Sequence, residues 1–460
     1  MIDARKILLP PGRGPATPIH VVGKAAWPTF SATLRTEARA WAKAHGFEAA
    51  PLALLVLPGK AGVPDAVLVG APGERDDPFA LGAIAARLPE GSYSFAEAAL
   101  ATGDVALGWC GELYKYDPHR PTKVKAVTLV MPSKPAATQA AMLANAVFAV
   151  RDQVNAPANI LGPDELERDA RALARAHKAK VSVISGAALA KGFPLIHAVG
   201  AASTRKPRLI DITWGNARHP KVTLVGKGVV FDTGGLDIKP SASMLLMKKD
   251  MGGAANVLGL ARLIMEQGLK LRLRVLVPAV ENAIAGDAFR PGDVFKSRKG
   301  ITVEIGNTDA EGRLILADAL ALADEEKPEL LLDMATLTGA ARVATGPDLP
   351  PFFTDDETLA ADLGRHAFAV NDPLWRLPLW RPYASMIETP IADLNNAGAG
   401  GFAGAITAAL FLRRFVEQAK AYVHFDIFAW TPTAKPGRPR GGESQAMRAL
   451  FALLCERYGK

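Results

Sequence analysis

The chain reads as an α/β protein of two domains, a small N-terminal α/β domain and a larger C-terminal α/β domain with a mostly parallel central sheet. Three observations predict this. At 460 residues the chain exceeds what one ordinary core serves. Short apolar runs bounded by proline, glycine or charge recur before residue 132, as buried strands do. Beyond residue 160, apolar strand-like runs alternate with helix-patterned stretches, the rhythm of a parallel sheet covered by helices.

Taken in order, residues 53–57, 66–69 and 126–131 are expected strands of the first domain, with helix-like spacing over 78–88 and 95–101. Pro132-Ser133-Lys134-Pro135 breaks the pattern. Residues 136–154 then run helical and alanine-rich as far as Asn155-Ala156-Pro157, as a connecting helix would. The expected boundaries are 1–134 for the N-terminal domain, 135–155 for the connecting helix and 156–460 for the C-terminal domain. Leu161-Gly162-Pro163-Asp164 opens a further helix, with Asp164 near its first turn. Strands are expected over 181–184, 208–213, 221–225, 271–277, 301–305, 330–332 and 422–427, and helices over 253–266, 314–325 and 403–417. In such sheets, sites form beyond the carboxyl ends of the strands.

A hydrophobic fraction of 49% and a charged fraction of 22% are those of a soluble globular protein. No apolar run reaches the roughly 18 residues of a membrane span, and the N-terminal residues carry no apolar signal core. A cytoplasmic protein without membrane partners is expected. Cys110 and Cys455 are far apart and outside any CxxC pair, so inert buried thiols are the reading. The net charge of +8 is mild for the size and permits nucleic-acid contact without arguing for it. The basic loop 435–440 reads most simply as solvated.

The run Asn307-Thr308-Asp309-Ala310-Glu311-Gly312-Arg313-Leu314 puts two carboxylates and an arginine at a strand-to-helix turn. Such crowding is costly unless a metal ion or anionic ligand compensates it. With Asp318 it mimics part of a calcium loop, but an EF-hand needs an entering helix and a terminal glutamate, and both are missing. The glycine-rich segment 225–235 follows a strand yet fits neither a Walker loop nor GxGxxG. In isolation Asp250 would be a helix cap and Lys227 a surface lysine. Together, Lys227, Asp232, Lys239, Asp250, Asp309, Glu311 and Arg313 all fall at strand ends or helix starts of one expected sheet. HExxH and GxSxG are absent. A metal here would take carboxylates with a lysine, and shared carboxylates suit a pair of divalent ions.

The stretches VGKGVVFDTGGLDIKP, MKKDMGGAA, ENAIAGDAFRPGDV and NTDAEGRL resemble the leucyl aminopeptidase family of cytosolic dinuclear-metal peptidases. The resemblance covers residue 155 to the C-terminus, including NAPANILGP. It implies that Lys227, Asp232, Asp250 and Glu311 hold the tighter metal. Asp232, Asp309 (with its carbonyl) and Glu311 would hold the exchangeable one, with Asp232 and Glu311 bridging. Lys239 and Arg313 would be the catalytic residues that bind no metal, and Met247, Thr336 and Gly339 would line the pocket for the first side chain. The implied cofactors are two divalent ions, Zn2+ or Mn2+, with bicarbonate held by Arg313 as general base. The implied activity is removal of N-terminal residues from short peptides, with leucine and other large apolar residues preferred, by a homohexamer.

A water between two dications deprotonates near neutral pH and becomes the nucleophile. A lysine ligates only when neutral, so Lys227 needs a depressed pKa, which a neighbouring dication supplies. Lys239, left charged, can stabilise the oxyanion. An ion pair with Glu311 or Asp309 is the structural alternative for Arg313. Thr233 stands where many members carry serine, and Asp237 adds a charge able to pair with Lys239. Two rival functions remain: a DNA-binding accessory role, and a metal-binding scaffold without activity.

Overall fold

The computed structural model describes residues 2–73 and 77–459. It has two compact units, Met1–Phe148 with Thr433–Arg440, and Ala149–Pro432 with Gly441–Lys460. The helix Lys134–Asn155 contributes residues to both. Both units are mixed α/β with mostly parallel sheets, as expected.

The first unit is built on six strands in the order Leu8–Leu9, Val127–Val130, Gly91–Phe95, Thr17–Val22, Pro64–Gly70, Leu54–Pro58. All pairs are parallel except the last. Ile19, Val67, Tyr93, Trp109 and Leu129 form its buried core. The three expected strands are present. The helix-like spacing does not hold in full: residues 82–87 make only a 3-10 helix, and Phe95 ends a strand before the short turn Ala98–Leu100. A helix at Gly103–Leu113, capped by the Thr102 hydroxyl, was not expected. The basic loop is not simply solvated, since Arg438 pairs with Asp77 and lies over the Phe79 ring.

The second unit centres on a nine-stranded sheet. Its parallel middle runs Ala421–Asp426, Leu330–Ala335, Lys221–Gly226, Arg272–Asn282, with Gly228–Asp232 pairing in parallel to the far end of Arg272–Asn282. Antiparallel strands flank this middle on both sides. The helix Gly252–Gln267 is buried at nearly every position and ends at Gly268, whose φ of 71° closes it in the left-handed region. The helix Glu311–Asp324 is buried almost throughout. Asp318 is no calcium ligand there: it accepts hydrogen bonds from the amides of Leu195, Ile196 and Arg298, and burial pushes it up to about 6.

One strand departs from expectation in a way that matters for the site. Residues 301–305 supply Thr302–Glu304, which belongs to a separate three-stranded sheet with Val294–Lys296 and Leu394–Asn395. Its antiparallel pairing with Val294–Lys296 and parallel pairing with Leu394–Asn395 hold it there. Among the described residues no helix is long and apolar enough to cross a membrane. Cys110 is buried and Cys455 only partly so; neither is in a disulfide.

Candidate metal centre

Every sequence-named ligand sits at an element's end. Lys227 follows the strand Lys221–Gly226, its amide donating to the Met334 carbonyl and its own carbonyl accepting from Ala254. Asp232 closes the strand Gly228–Asp232. Asp250 precedes the helix Gly252–Gln267, and Glu311 opens the helix Glu311–Asp324, with Asp309 two residues before it. Asp309 and Glu311 therefore reach the site from the small sheet, not from the central one.

The ligand atoms of Asp232, Asp309 and Glu311 lie within 4.8 Å of one another. Lys227 Nζ is 2.8 Å from both Asp250 Oδ2 and Glu311 Oε1 and donates to the Thr336 carbonyl at 2.9 Å. Lys239 Nζ is 2.9 Å from Asp232 Oδ2 and also pairs with Asp309. Gly312 makes room for this packing, because a Cβ there would stand 2.5 Å from Lys227 Cε. Asp250 is not a helix cap: its Oδ1 accepts from the Thr336 hydroxyl at 2.7 Å, and the helix has no side-chain cap. Asp237 does not pair with Lys239; its Oδ2 accepts from the Thr308 amide and hydroxyl.

The electrostatics are those of an unbalanced cluster. Four carboxylates face two ammonium groups. Burial, then the charge of Asp232, pushes Glu311 well above the usual carboxylate range and Asp309 up to about 6. Burial alone would lower Lys227, but Asp250, Glu311 and Asp232 hold it above its ordinary value; Asp232 and Glu311 do the same to Lys239 against burial. Asp250 Oδ2, Asp309 Oδ1 and Glu311 Oε1 are buried, accept no hydrogen bond of good geometry and have only lysines beside them. An oxygen-rich donor set with surplus negative charge fits divalent cations.

Arg313 stands apart. It makes no ion pair with Glu311 or Asp309 among the described contacts; its Nη1 donates to the Asn396 carbonyl at 2.6 Å and its buried Nε has no partner. Burial lowers it to about 10. Lys227, Asp232, Lys239, Asp250, Asp309, Glu311, Met247, Thr336 and Gly339 all line one cavity of about 260 Å³, whereas Arg313 is not in its wall.

Several residues that support the site were not singled out from the sequence. Asn282 Nδ2 donates to Asp232 Oδ1 at 2.9 Å and to the Thr308 carbonyl. Asn396 Oδ1 accepts from the Gly306 and Asn307 amides, and its Nδ2 donates to the Asn307 carbonyl, shaping the turn before Asp309. The first lies within the quoted ENAIAGD stretch; the second has no local signal. Lys249 and Arg342 also line the cavity.

An α/β domain that gathers carboxylates and lysines in one cavity fits a hydrolase of the metal-dependent class. Residues 148–451 match the cytosol aminopeptidase family, catalytic domain, and residues 17–132 match the M17 aminopeptidase N-terminal domain. The chain belongs to the cytosol aminopeptidase family, whose members are metal-dependent peptidases. It is 43% identical over 318 residues to a probable cytosol aminopeptidase of Roseiflexus castenholzii, an alignment covering 68% of this chain and 65% of that one. It is 39% identical over 397 residues to that of Nitratidesulfovibrio vulgaris, covering 82% and 78%. Among solved structures it is similar to cytosol aminopeptidase from Coxiella burnetii, with 42% identity, a TM-score of 0.93 and coverage of 98% and 99%. The bottromycin maturation enzyme BotP in complex with Mn is 31% identical, with a TM-score of 0.85 and coverage of 96% and 100%.

Proposed function

We propose that the protein is a metal-dependent aminopeptidase that removes the first residue of short peptides. The observation that carries this reading is the convergence of Asp232, Asp309 and Glu311 within 4.8 Å, beside Lys227 and Lys239, in the wall of a peptide-sized cavity. Lys227, Asp232, Asp250 and Glu311 would hold the tighter ion, and Asp232, Asp309 and Glu311 the exchangeable one. Two bound divalent ions, Zn2+ or Mn2+, would supply an acidified water as nucleophile and an anchor for the substrate's α-amine.

The chain's own side chains do the rest. Asp232 and Glu311 would be the carboxylates shared by the two ions. Thr336 orients Asp250, and Asn282 orients Asp232, as partners of metal-binding carboxylates commonly do. Lys239 stays charged between Asp232 and Asp309 and donates to oxygen as negative charge grows on the scissile carbonyl. The unpartnered Nε of Arg313 supports its role as the residue that would hold bicarbonate, which would supply a general base. Met247, Leu337, Ile427 and Phe428 give the cavity an apolar side that suits leucine and other large apolar first residues.

The catalytic part of the chain would be residues 156–460, with 1–134 as a separate N-terminal domain and 135–155 linking them. The expected homohexamer rests on the family resemblance; Leu245 and Phe402, 84% and 86% exposed, are apolar side chains that subunit contacts would cover. The names of the relatives support a cytoplasmic location. For the DNA-binding alternative, the basic balance and the loop 435–440 are the only support, and Arg438 of that loop is engaged by Asp77 and Phe79. The test is direct. Protein loaded with Mn2+ or Zn2+ is expected to release the amine from leucine anilide, and chelation to abolish this. Inertness on leucyl, methionyl and other aminoacyl substrates would overturn the reading.

A further inference from the structure

Lys249 is a buried cation that the proposed chemistry does not use. It is 5% exposed, one residue before Asp250, and lines the same cavity. Arg342, on the helix Gly339–Thr345, lines it too. Among the described residues no carboxylate comes within ion-pair distance of either, and neither side chain donates a hydrogen bond. Both instead lie over one aromatic ring: Lys249 Nζ and the Arg342 guanidinium are each 4.8 Å from the centre of Phe428.

The nearby acids are already committed. Asp250 accepts from Thr336 and lies against Lys227. Asp426 takes three hydrogen bonds, from the amides of Leu337 and Thr338 and from the Thr338 hydroxyl. Two cations gathered at one aromatic ring repel each other, and the burial of Lys249 without an acidic partner adds a cost of its own. Ring contact offsets only part of that cost. A carboxylate in the cavity that reached both would offset their repulsion and the burial of Lys249, with charge-assisted hydrogen bonds to each.

We propose that Lys249 and Arg342 extend the first-residue pocket to acidic side chains, so that the protein removes N-terminal glutamate and aspartate as well as large apolar residues. The proposal rests on the aminopeptidase reading above. The carboxylate is assigned to the first side chain, not to the C-terminus of a short peptide, for a reason of position. Lys249 lies two residues from Met247 and Arg342 three from Gly339, and Met247 and Gly339 are the residues expected to face that side chain.

The experiment compares kcat/KM for glutamyl, glutaminyl and leucyl anilides on Mn2+-loaded protein. These substrates have no C-terminal carboxylate, and the first two differ only in side-chain charge. Wild type is expected to favour glutamyl over glutaminyl by about tenfold. Arg342→Ala and Lys249→Met should each move that ratio towards one, and Arg342→Glu should take it below one. Arg342 is exposed, so its variants keep the test standing if Lys249→Met folds poorly. Calorimetric binding of free glutamate against glutamine gives a readout independent of turnover and should show the same preference. A wild-type ratio at or below one, with leucyl anilide turned over, overturns this proposal and leaves the aminopeptidase reading intact. The same holds if Arg342 variants leave the ratio unchanged but alter the preference for leucylglycine over its amide. A protein inert on all three anilides overturns both.

Discussion

Gly312→Ala sets helix propensity against site geometry. Gly312 is the second residue of the helix Glu311–Asp324, and alanine inside a helix is favoured over glycine by about 1 kcal/mol. Its Cβ, however, would stand 2.5 Å from Lys227 Cε, 2.7 Å from Nζ and 2.9 Å from Cδ. Lys227 has little room to retreat: its Nζ is bound by the Thr336 carbonyl and lies 2.8 Å from two carboxylates, with the side chain 3% exposed. Overpacking of this kind costs about 1–3 kcal/mol, so the net effect is destabilising by up to about 2 kcal/mol. Forcing a methyl-sized volume into the ligand set should also weaken metal binding by about 10–100-fold. Gly364 is the control: it lies in the helix Glu357–Ala369 and a Cβ there meets nothing within 4 Å, so Gly364→Ala should stabilise. Calorimetric melting of both variants, with metal content after dialysis, decides. A Gly312→Ala protein that melts above wild type and retains its metals would refute the assigned packing of Lys227.

Metal uptake should release protons, because Lys227 is held charged in the metal-free cluster and ligates only when neutral. Calorimetry in buffers of different ionisation enthalpy should find about one proton or more released per chain at pH 8; no release would remove Lys227 from the ligand set. Release should be larger at pH 6, where Asp309 (about 6) and the raised Glu311 add theirs, so affinity falls as pH drops. Burial pushes the Cys455 thiol up to about 11, and Cys110 is buried, so alkylation of the folded protein at pH 7.5 should be slow and should accelerate on unfolding. Fast single-site labelling of native protein would contradict this.

Much of the site was legible because its residues occur in short dense motifs at strand ends, where an open parallel sheet brings distant segments together. Lys227, Asp232 and Asp250 are brought to one cavity for that reason, and Asp309 and Glu311 join them from the turn after the small sheet. What was not legible depended on partners far away in sequence. Residues 301–305 have the pattern of a central strand, and only pairing with Val294–Lys296 and Leu394–Asn395 moves them to the small sheet. The strand Gly228–Asp232 carries strand-favouring Val229, Val230 and Phe231, but flanking glycines give the segment the look of a loop, and only its pairing to Arg272–Asn282 marks it as a strand. Asn396 shapes the turn before Asp309 from 87 positions downstream of it, without a motif of its own. Lys249 and Arg342 look like ordinary helix-flanking cations until Phe428 brings them together.

The central claim is that these carboxylates and lysines divide into ligands and a catalytic cation. Metal content and leucine anilide turnover, measured together on wild type, Glu311→Ala and Lys239→Ala, test it most directly. The account predicts about two divalent ions per chain in wild type, loss of metal and nearly all rate in Glu311→Ala, and full metal content with a rate reduced by about 10²–10³ in Lys239→Ala. A Glu311→Ala protein that keeps both ions and its rate, or a Lys239→Ala protein that loses metal, would contradict it.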